Sequence, residues 1–385
     1  MITYEIKLEK IGEITMLPDS QRLFGFLISL VKNIYNSNDN DINQFITKLL
    51  SGGQSCMVSN LLPSGYYPMP KGYIIDSLKE YNVKDKNKTD ELEKKEIAIK
   101  KELDNKSKKI NNIKESNEKK RAKLKEELEE LDKKITNLIK GYKELEKLSS
   151  KMIYETVKKI DYIKREDLKD LLKDIKGKRS RITAEDLEKY DFISEKKEFI
   201  QKFRLESQFK KLPGFPNVSY SLAISSLKDK NNKEVNEFSF FVSTEDDSIL
   251  SKTLEKLKKE IQDNGGINCI LGEKGSLGYN EYNIIDIGEL SKELVTSKSK
   301  KYLNLGMLLP SESVKLEESI IDIFISDRKP FEIEYEVSKV ISFMSAGSVL
   351  KSEIVSVGKC IKNKYNPLYE NAIIFGNSFV EEWED

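Results

Sequence analysis

The sequence predicts an α+β protein: ferredoxin-like (RRM-like) units in tandem, the first interrupted by a long helical coiled-coil insertion. Two patterns predict it. Strand-like runs of period two alternate with helical stripes in an order close to βαββαβ. From about Thr89 to Ser150 the composition turns abruptly to Lys, Glu, Leu, Ile and Asn at heptad spacing. At 385 residues the chain has room for two domains and an insertion. We expect a first domain over 1–290, an insertion over 78–212 with its coiled-coil hairpin near 89–150, and a second, degenerate domain over 296–385.

The elements follow in order. Ile2, Tyr4, Ile6 and Leu8 alternate onto one face of a strand. Pro18, Asp19 and Ser20 offer a helix start, after which Leu23, Phe26, Leu27, Leu30 and Ile34 recur at helical spacing. Ser55 to Leu62 reads as a short strand running into the turn-rich stretch Pro63 to Pro70. Leu124, Leu128, Leu131, Ile135, Leu138, Tyr142 and Leu145 then alternate four-three over three heptads, with Glu129–Lys133 and Glu130–Lys134 in the favourable i, i+4 order. Leu92, Ile99, Leu103, Ile110 and Ile113 give a weaker stripe upstream. An insertion must return to its entry point, so the stretch should be an antiparallel hairpin with its tip between Asn105 and Glu118. Each arm of about 30 residues would reach about 45 Å. It is either a solvated appendage or a docking arm for a partner.

Asp161 to Ile175 and Thr183 to Phe203 look like further short helices. Strand patterns resume at Val218–Ile224 and Glu237–Val242, followed by a helix over Ser248–Asp263, a glycine-bearing loop from Gly265 to Gly278, and a strand at Tyr279–Ile287. That is one strand too many for βαββαβ, so one middle run must be a hairpin extension. Tyr302–Leu309, Phe331–Phe343 and Asn371–Phe375 are strand-like, and Ser319–Ile325 is a helix or strand candidate.

Composition excludes more than it asserts. The chain has no histidine, which removes the commonest general base and metal ligand together. Ser-His-Asp and Cys-His hydrolases, HD phosphohydrolases and HExxH metalloproteases are excluded; a carboxylate-only metal site or a Lys/Tyr acid–base pair stays open. Cys56, Cys269 and Cys360 form no CxxC pair and read as small buried hydrophobes in a reducing cytosol. The first ten residues lack a signal-peptide pattern, and the longest apolar stretch, Leu23–Val31, falls short of the roughly 20 residues of a membrane span. We therefore expect a cytoplasmic protein without membrane contact or cofactor. The net charge of +1 can hide basic and acidic surfaces that cancel; binding a polyanion would need local segregation of Lys and Arg.

Gly272-Glu273-Lys274-Gly275-Ser276-Leu277-Gly278-Tyr279 is the segment closest to a chemical motif. Its glycines let the backbone approach a phosphate, and Lys274 supplies a positive charge. It lacks the Walker Lys-Ser/Thr ending and a strand-to-helix context, which argues against nucleotide hydrolysis; the bland reading is turn geometry. Tyr66, Tyr67, Tyr73 and Tyr279 could stack bases on an RRM-like sheet, or simply pack in the core. Asp19 has no evident carboxylate partner, and Glu245-Asp246-Asp247 reads as a charge cluster at a helix start.

An ordered set of segments resembles a known family. Leu17 to Gly25 is similar to the helix-opening signature of the RAMP superfamily of CRISPR proteins. Val58 to Pro63, with Tyr67-Pro68-Met69-Pro70-Lys71, resembles one branch, the fourth Csm subunit of type III-A CRISPR-Cas complexes. Lys158 to Ile163 is similar to a Lys-rich segment of that branch, and Gly272 to Gly278 sits where the family keeps a glycine-rich basic element. Leu308 to Ser311, Ala346 to Val349 and Ile373 to Gly376 resemble its carboxy-terminal landmarks. Glu273 and Gly275 stand where basic residues are expected, and the long helical insertion is not part of the family core.

What the resemblance implies is a non-catalytic, RNA-binding structural subunit of the Csm complex in antiviral defence. It would cap the crRNA 5′ handle and join the large polymerase-like signalling subunit to the backbone RAMP subunit, meeting target RNA only indirectly. The implied RNA-binding residues are Gly272, Lys274, Gly275, Ser276, Leu277, Gly278 and Tyr279, with Gln21 and Arg22 at the first helix, and Ser59, Asn60, Lys71, Gly347 and Ser348 in lesser roles. Two alternatives stand beside it: a RAMP-type metal-independent endoribonuclease processing pre-crRNA, with Lys274 and Tyr279 as the acid–base pair, and a coiled-coil tether unrelated to CRISPR.

Overall fold

The computed structural model describes residues 1–35, 39–51, 56–82, 86–114, 118–146, 150–178, 182–203, 219–290, 300–325, 341–362 and 373–383. The protein is a mixed helix-and-sheet chain with antiparallel sheets, divided into two compact units. The larger holds 1–73, 160–169 and 191–385, and the smaller holds 74–159 and 170–190.

In chain order the elements are β1 (Ile2–Lys10), α1 (Ser20–Tyr35), α2 (Asp39–Leu50), β2 (Cys56–Val58), β3 (Leu62–Pro63), β4 (Tyr66–Pro68), α3 (Lys71–Asn82), α4 (Lys86–Lys114), α5 (Glu118–Glu146) and α6 (Ser150–Lys159). They continue with β5 (Tyr162–Lys164), α7 (Arg165–Lys178), α8 (Ala184–Glu188), β6 (Phe192–Phe203), β7 (Ser219–Asp229), β8 (Glu237–Thr244), α9 (Ile249–Asn264), β9 (Ile267–Ile270) and β10 (Glu281–Leu290). Last come β11 (Lys301–Asn304), β12 (Ile323–Ile325), β13 (Ser342–Met344), β14 (Val349–Lys351), β15 (Ile361–Lys362), β16 (Ile373–Ile374) and β17 (Val380–Glu382).

The main sheet runs β2-β8-β1-β10-β9, with β3 also on β8. β8 lies antiparallel between β2 and β1, and β10 lies antiparallel on the other side of β1. Tyr4, Ile6 and Leu8 bury one face of β1, as their alternation requires. α1 opens where Pro18-Asp19-Ser20 predicts: the Asp19 carboxylate accepts the Arg22 N–H at 2.9 Å and its carbonyl accepts the Leu23 N–H at 3.0 Å. Leu23, Leu27 and Val31, four apart, are then fully buried. In α9 the Ser248 hydroxyl caps the Ser251 N–H, Leu250, Leu254, Leu257 and Ile261 face the core, and Gly265 ends the helix at φ +74°.

The surplus middle strand is β7. It joins a second sheet, β4-β5-β6-β7, rather than the main one. One expectation is corrected here: Thr183–Phe203 is not a helix. A Thr183–Asp186 capping box starts only the five-residue α8, after which β6 runs extended for 12 residues. Its sequence, rich in Glu and Lys, carries no strand alternation; pairing with β7 along the full length, from Ile193↔Asp229 to Phe203↔Ser219, overrides local propensity. Asp161–Ile175 is likewise split, β5 preceding α7. β9, expected as part of the glycine loop, instead pairs with β10 from Ile267↔Ile284 to Ile270↔Glu281.

The stretch after Lys300 belongs to the larger unit and shares its core. A three-stranded sheet, β14-β11-β17, packs Tyr302, Leu350 and Val380 together. Phe375 stacks on Phe24 of α1 with ring centroids 4.1 Å apart, and Phe379 stacks on Phe241 of β8 at 5.2 Å. Ser319–Ile325 resolves as strand at β12. Most of Phe331–Phe343, the start of Asn371–Phe375 and the first residue of Val218–Ile224 lie outside the described residues.

In the smaller unit α4 and α5 are antiparallel arms. Lys95 donates to the Gly141 carbonyl at 3.4 Å, and Lys134–Glu102, Lys106–Asp132 and Lys109–Glu127 pair at 2.6, 2.6 and 2.8 Å, partners rising on one arm as they fall on the other. Among the described residues of the expected seam only Ile135 is buried, because two helices side by side leave the flanks of the seam in water. α7 and α8 are joined by the Tyr190 hydroxyl donating to Asp174 at 2.8 Å; burial and that carboxylate push the phenol up to about 12.

Leu254 is fully buried between α9 and the main sheet. Leu254→Ala should lower the stability of the larger unit by about 2–5 kcal/mol through lost burial and a residual cavity, read as a shifted urea midpoint.

Candidate nucleic-acid interface

The loop between β9 and β10 is built to expose its backbone. Gly272 (φ +148°) and Gly278 (φ +80°) take conformations that favour glycine, and Lys274 between them is left-handed at φ +63°. The last is strained for a lysine, by roughly 1 kcal/mol. A 3-10 turn over Gly275–Leu277 folds the loop back, with Leu277 N–H on Lys274 C=O and Gly278 N–H on Gly275 C=O, each 2.9 Å. Glu273, Lys274, Ser276 and Leu277 are exposed, and Gly275 is half-buried against Ile270. The Lys274 and Gly275 amides have no acceptor among the described residues.

Asn280 holds the loop in place. It is 1% exposed and left-handed itself, at φ +55°. Its amide nitrogen donates to Thr15 Oγ1 and to the Glu273 carbonyl, both at 2.8 Å, while its oxygen accepts the Thr15 N–H at 2.9 Å. Its own N–H bonds to the Glu13 carbonyl at 2.9 Å. The sequence signal for this residue was available but silent: Asn is among the few residues that tolerate a left-handed backbone after a glycine turn.

Tyr279 is a packed residue. Its ring is buried against Leu222 and Ile224 of β7, with Lys202 Nζ 5.2 Å from its centroid. The other flagged aromatics are also engaged within the fold. Tyr67 meets Phe241 edge-on at 6.4 Å with the Arg165 guanidinium over both rings, and Tyr73 meets Trp383 edge-on at 5.0 Å. Tyr66 is half-buried against the main core. Arg165, which sequence reasoning missed, also pairs with Glu5 of β1 at 2.5 Å.

The sequence-derived candidates come from distant stretches, and hydrogen bonds together with one close backbone approach bring them alongside one another. Arg22 Nη2 lies 3.5 Å from Glu273 Oε1, tying the first turn of α1 to the glycine loop; Gln21 beside it is half-buried. The neighbouring Ser20 N–H donates to Asn60 Oδ1 at 2.8 Å. Asn60 N–H reaches the Leu305 carbonyl at 2.9 Å, and Gly347 N–H reaches the Asn304 carbonyl at 2.8 Å. Gly347 sits at φ +93°, where a Cβ would come within 2.8 Å of the Met69 carbonyl, two residues before Lys71. Within this path Ser59 is fully buried, its hydroxyl accepting the Phe241 N–H at 2.8 Å, and Ser348 is buried with its hydroxyl accepting the Asp322 N–H at 3.1 Å. Lys71 pairs with Asp161 at 2.6 Å.

Electrostatically the site is modestly basic. Lys274 is exposed and makes no ion pair among the described residues, whereas Arg22 is partly neutralised by the exposed Glu273. Such a surface pair is worth roughly 0–1 kcal/mol. All three cysteines are free thiols, and burial pushes Cys269 up to about 12 and Cys360 up to about 11. No group of His, Cys, Asp and Glu among the described residues is arranged to hold a metal ion. No described helix is long and apolar enough to cross a membrane.

No protein-family model matches the sequence, and no curated protein matches it. Among solved structures the chain is similar to one from a Csm1-Csm4 cassette in complex with cA4, at a TM-score of 0.46 and 12% identity over 99% of this chain and 97% of that one. It is similar to another from a Csm3-Csm4 subcomplex of the type III-A CRISPR-Cas interference complex, at 0.45 and 14% over 97% and 98%. Both likenesses run nearly the whole length of the chain.

Asn280→Ala removes three side-chain bonds and leaves the Thr15 N–H without its acceptor. We expect a loss of roughly 1–3 kcal/mol and faster hydrogen exchange at the Leu277 and Gly278 amides, with exchange in α9 unchanged.

Proposed function

We propose that this chain is a non-catalytic structural subunit of a type III-A CRISPR effector complex that binds and caps the crRNA 5′ handle. In this reading it joins the large polymerase-like signalling subunit to the backbone RAMP subunit through ferredoxin-like RAMP units. The main-sheet order, with β8 antiparallel between β2 and β1 and a helix after each of β1 and β8, supports the first such unit.

The observation that carries the proposal is the path of hydrogen bonds and close approaches from the Gly272–Tyr279 loop through Arg22, Ser20 and Asn60 to Gly347, which packs against the Met69 carbonyl. Segments that separately resemble one family meet in the fold, which unrelated resemblances have no reason to do. Along that path the loop would meet handle phosphates through the Lys274 charge and the Lys274 and Gly275 amides. The first turn of α1 would contribute side chains rather than amides, because the Ser20 and Arg22 N–H groups are already taken by Asn60 and Asp19. Ser59 and Ser348, buried and bonded internally, would shape the path, and Tyr279 would brace the loop from beneath.

The nuclease reading needs Lys274 and Tyr279 to act together on one phosphodiester. The lysine is exposed on the loop while the tyrosine ring is buried under Lys202, and the chain has no histidine to replace either. Incubating the purified protein with a repeat hairpin should return the RNA intact; a single metal-independent cut would overturn the scaffold reading.

Lys274→Glu should weaken handle binding by about tenfold and reduce the slope of log K against log salt by about one. Glu273→Gln should do the reverse, raising affinity severalfold by releasing Arg22. Filter binding across a salt series reads both; two unchanged curves would remove the loop from the site.

A further inference from the structure

The net charge of +1 conceals a strong segregation within the helical hairpin. Over its distal part, residues 105–125, the sequence holds nine cations against two carboxylates, Glu115 and Glu118. Over the rest of α4 and α5 ten cations stand against thirteen carboxylates. The cross-hairpin pairs bring Lys106 and Lys109 level with Asp132 and Glu127, which fixes where the excess begins. Lys108, between those two pairs, and Lys123 and Lys125, on the tip side of Glu127, are exposed, and no salt bridge engages them among the described residues.

We propose that the distal end of this hairpin is a second nucleic-acid contact, which binds the phosphate backbone of single-stranded RNA without reading its sequence. Lys108 is exposed on one antiparallel arm and Lys123 and Lys125 on the other, and the cation-rich stretch covers about 15 Å of α4 and about 12 Å of α5 at 1.5 Å per residue. That length is enough to meet several successive phosphates. The distal stretch contains no aromatic residue and three large apolar ones, Ile110, Ile113 and Leu124, too few for the apolar face that a membrane-surface helix needs. It also lacks the aromatic anchors at which a protein partner would gain its affinity. Phosphate contacts need neither. The contact depends on the hairpin alone and stands whether or not the glycine loop grips a handle.

The test uses the full chain and a uridine homopolymer of about 20 nucleotides, which carries no repeat-derived handle. In the triple variant Lys108→Gln/Lys123→Gln/Lys125→Gln the dissociation constant should rise by about tenfold. The salt slope should fall by about two, at roughly 0.7 per lost single-strand phosphate contact. The matching triple Lys→Arg variant should keep both values, separating charge from altered helix packing, and circular dichroism should report equal helicity in the two. Lys274→Glu, tested on the same homopolymer, separates a failure of this site from a failure of the loop. Unchanged affinity and slope in the glutamine variant would overturn the proposal. So would loss of binding to phosphatidylserine vesicles with RNA binding intact, which would assign the tip to a lipid surface.

Discussion

A single buried amide holds the functional end of this protein together. Asn280 closes the glycine loop onto Glu273, and it anchors that loop to the chain leaving β1 through Thr15 and Glu13. A short loop with several left-handed residues has many alternative shapes in isolation. Fully satisfied polar contacts inside the fold select one of them, because any other would strand a buried donor or acceptor. The strain at Lys274 persists on the same footing: the surroundings over-determine the backbone, and the lysine is presented to solvent as a result.

The rest of the larger unit builds toward that point. β1 occupies the middle of the main sheet, so its end is fixed by ladders on both sides, and β10 delivers the returning strand to it. α1 is seated by Asp19 and Asn60 and sealed against the carboxy-terminal region by the Phe24–Phe375 stack. The segments after Lys300 are therefore structural partners of the first helix rather than an independent appendage, and they bring Gly347 beside Met69.

The elements legible in the sequence were those whose burial pattern is local. α1, α9 and β1 each place apolar side chains at the period of their own secondary structure, and the two arms of the hairpin follow from the apolar stripes of α4 and α5, with Lys134 pairing across the arms to Glu102 rather than to Glu130. What escaped depends on partners far away in the chain. β6 reads as helix because its Glu and Lys residues are good helix formers; only the long pairing with β7 makes it a strand. β9 was hidden by the glycines around it, since Gly265 and Gly266 belong to the end of α9 and not to the loop. At the candidate site, Gly272, Gly278 and Lys274 were visible as residue types, but the bond from Arg22 to Glu273 and the anchoring by Asn280 arise only on folding. The flagged tyrosines show the converse: a ring useful for stacking is equally useful for packing, and composition does not separate the two.

The buried thiols and the missing imidazoles have a joint consequence. Cys269 and Cys360 are held far above neutrality, and no side chain of the histidine type exists to change charge between about pH 5 and 8. Mild acidification within that window should therefore leave the grip on a polyanion unaltered, and only competing ions should loosen it.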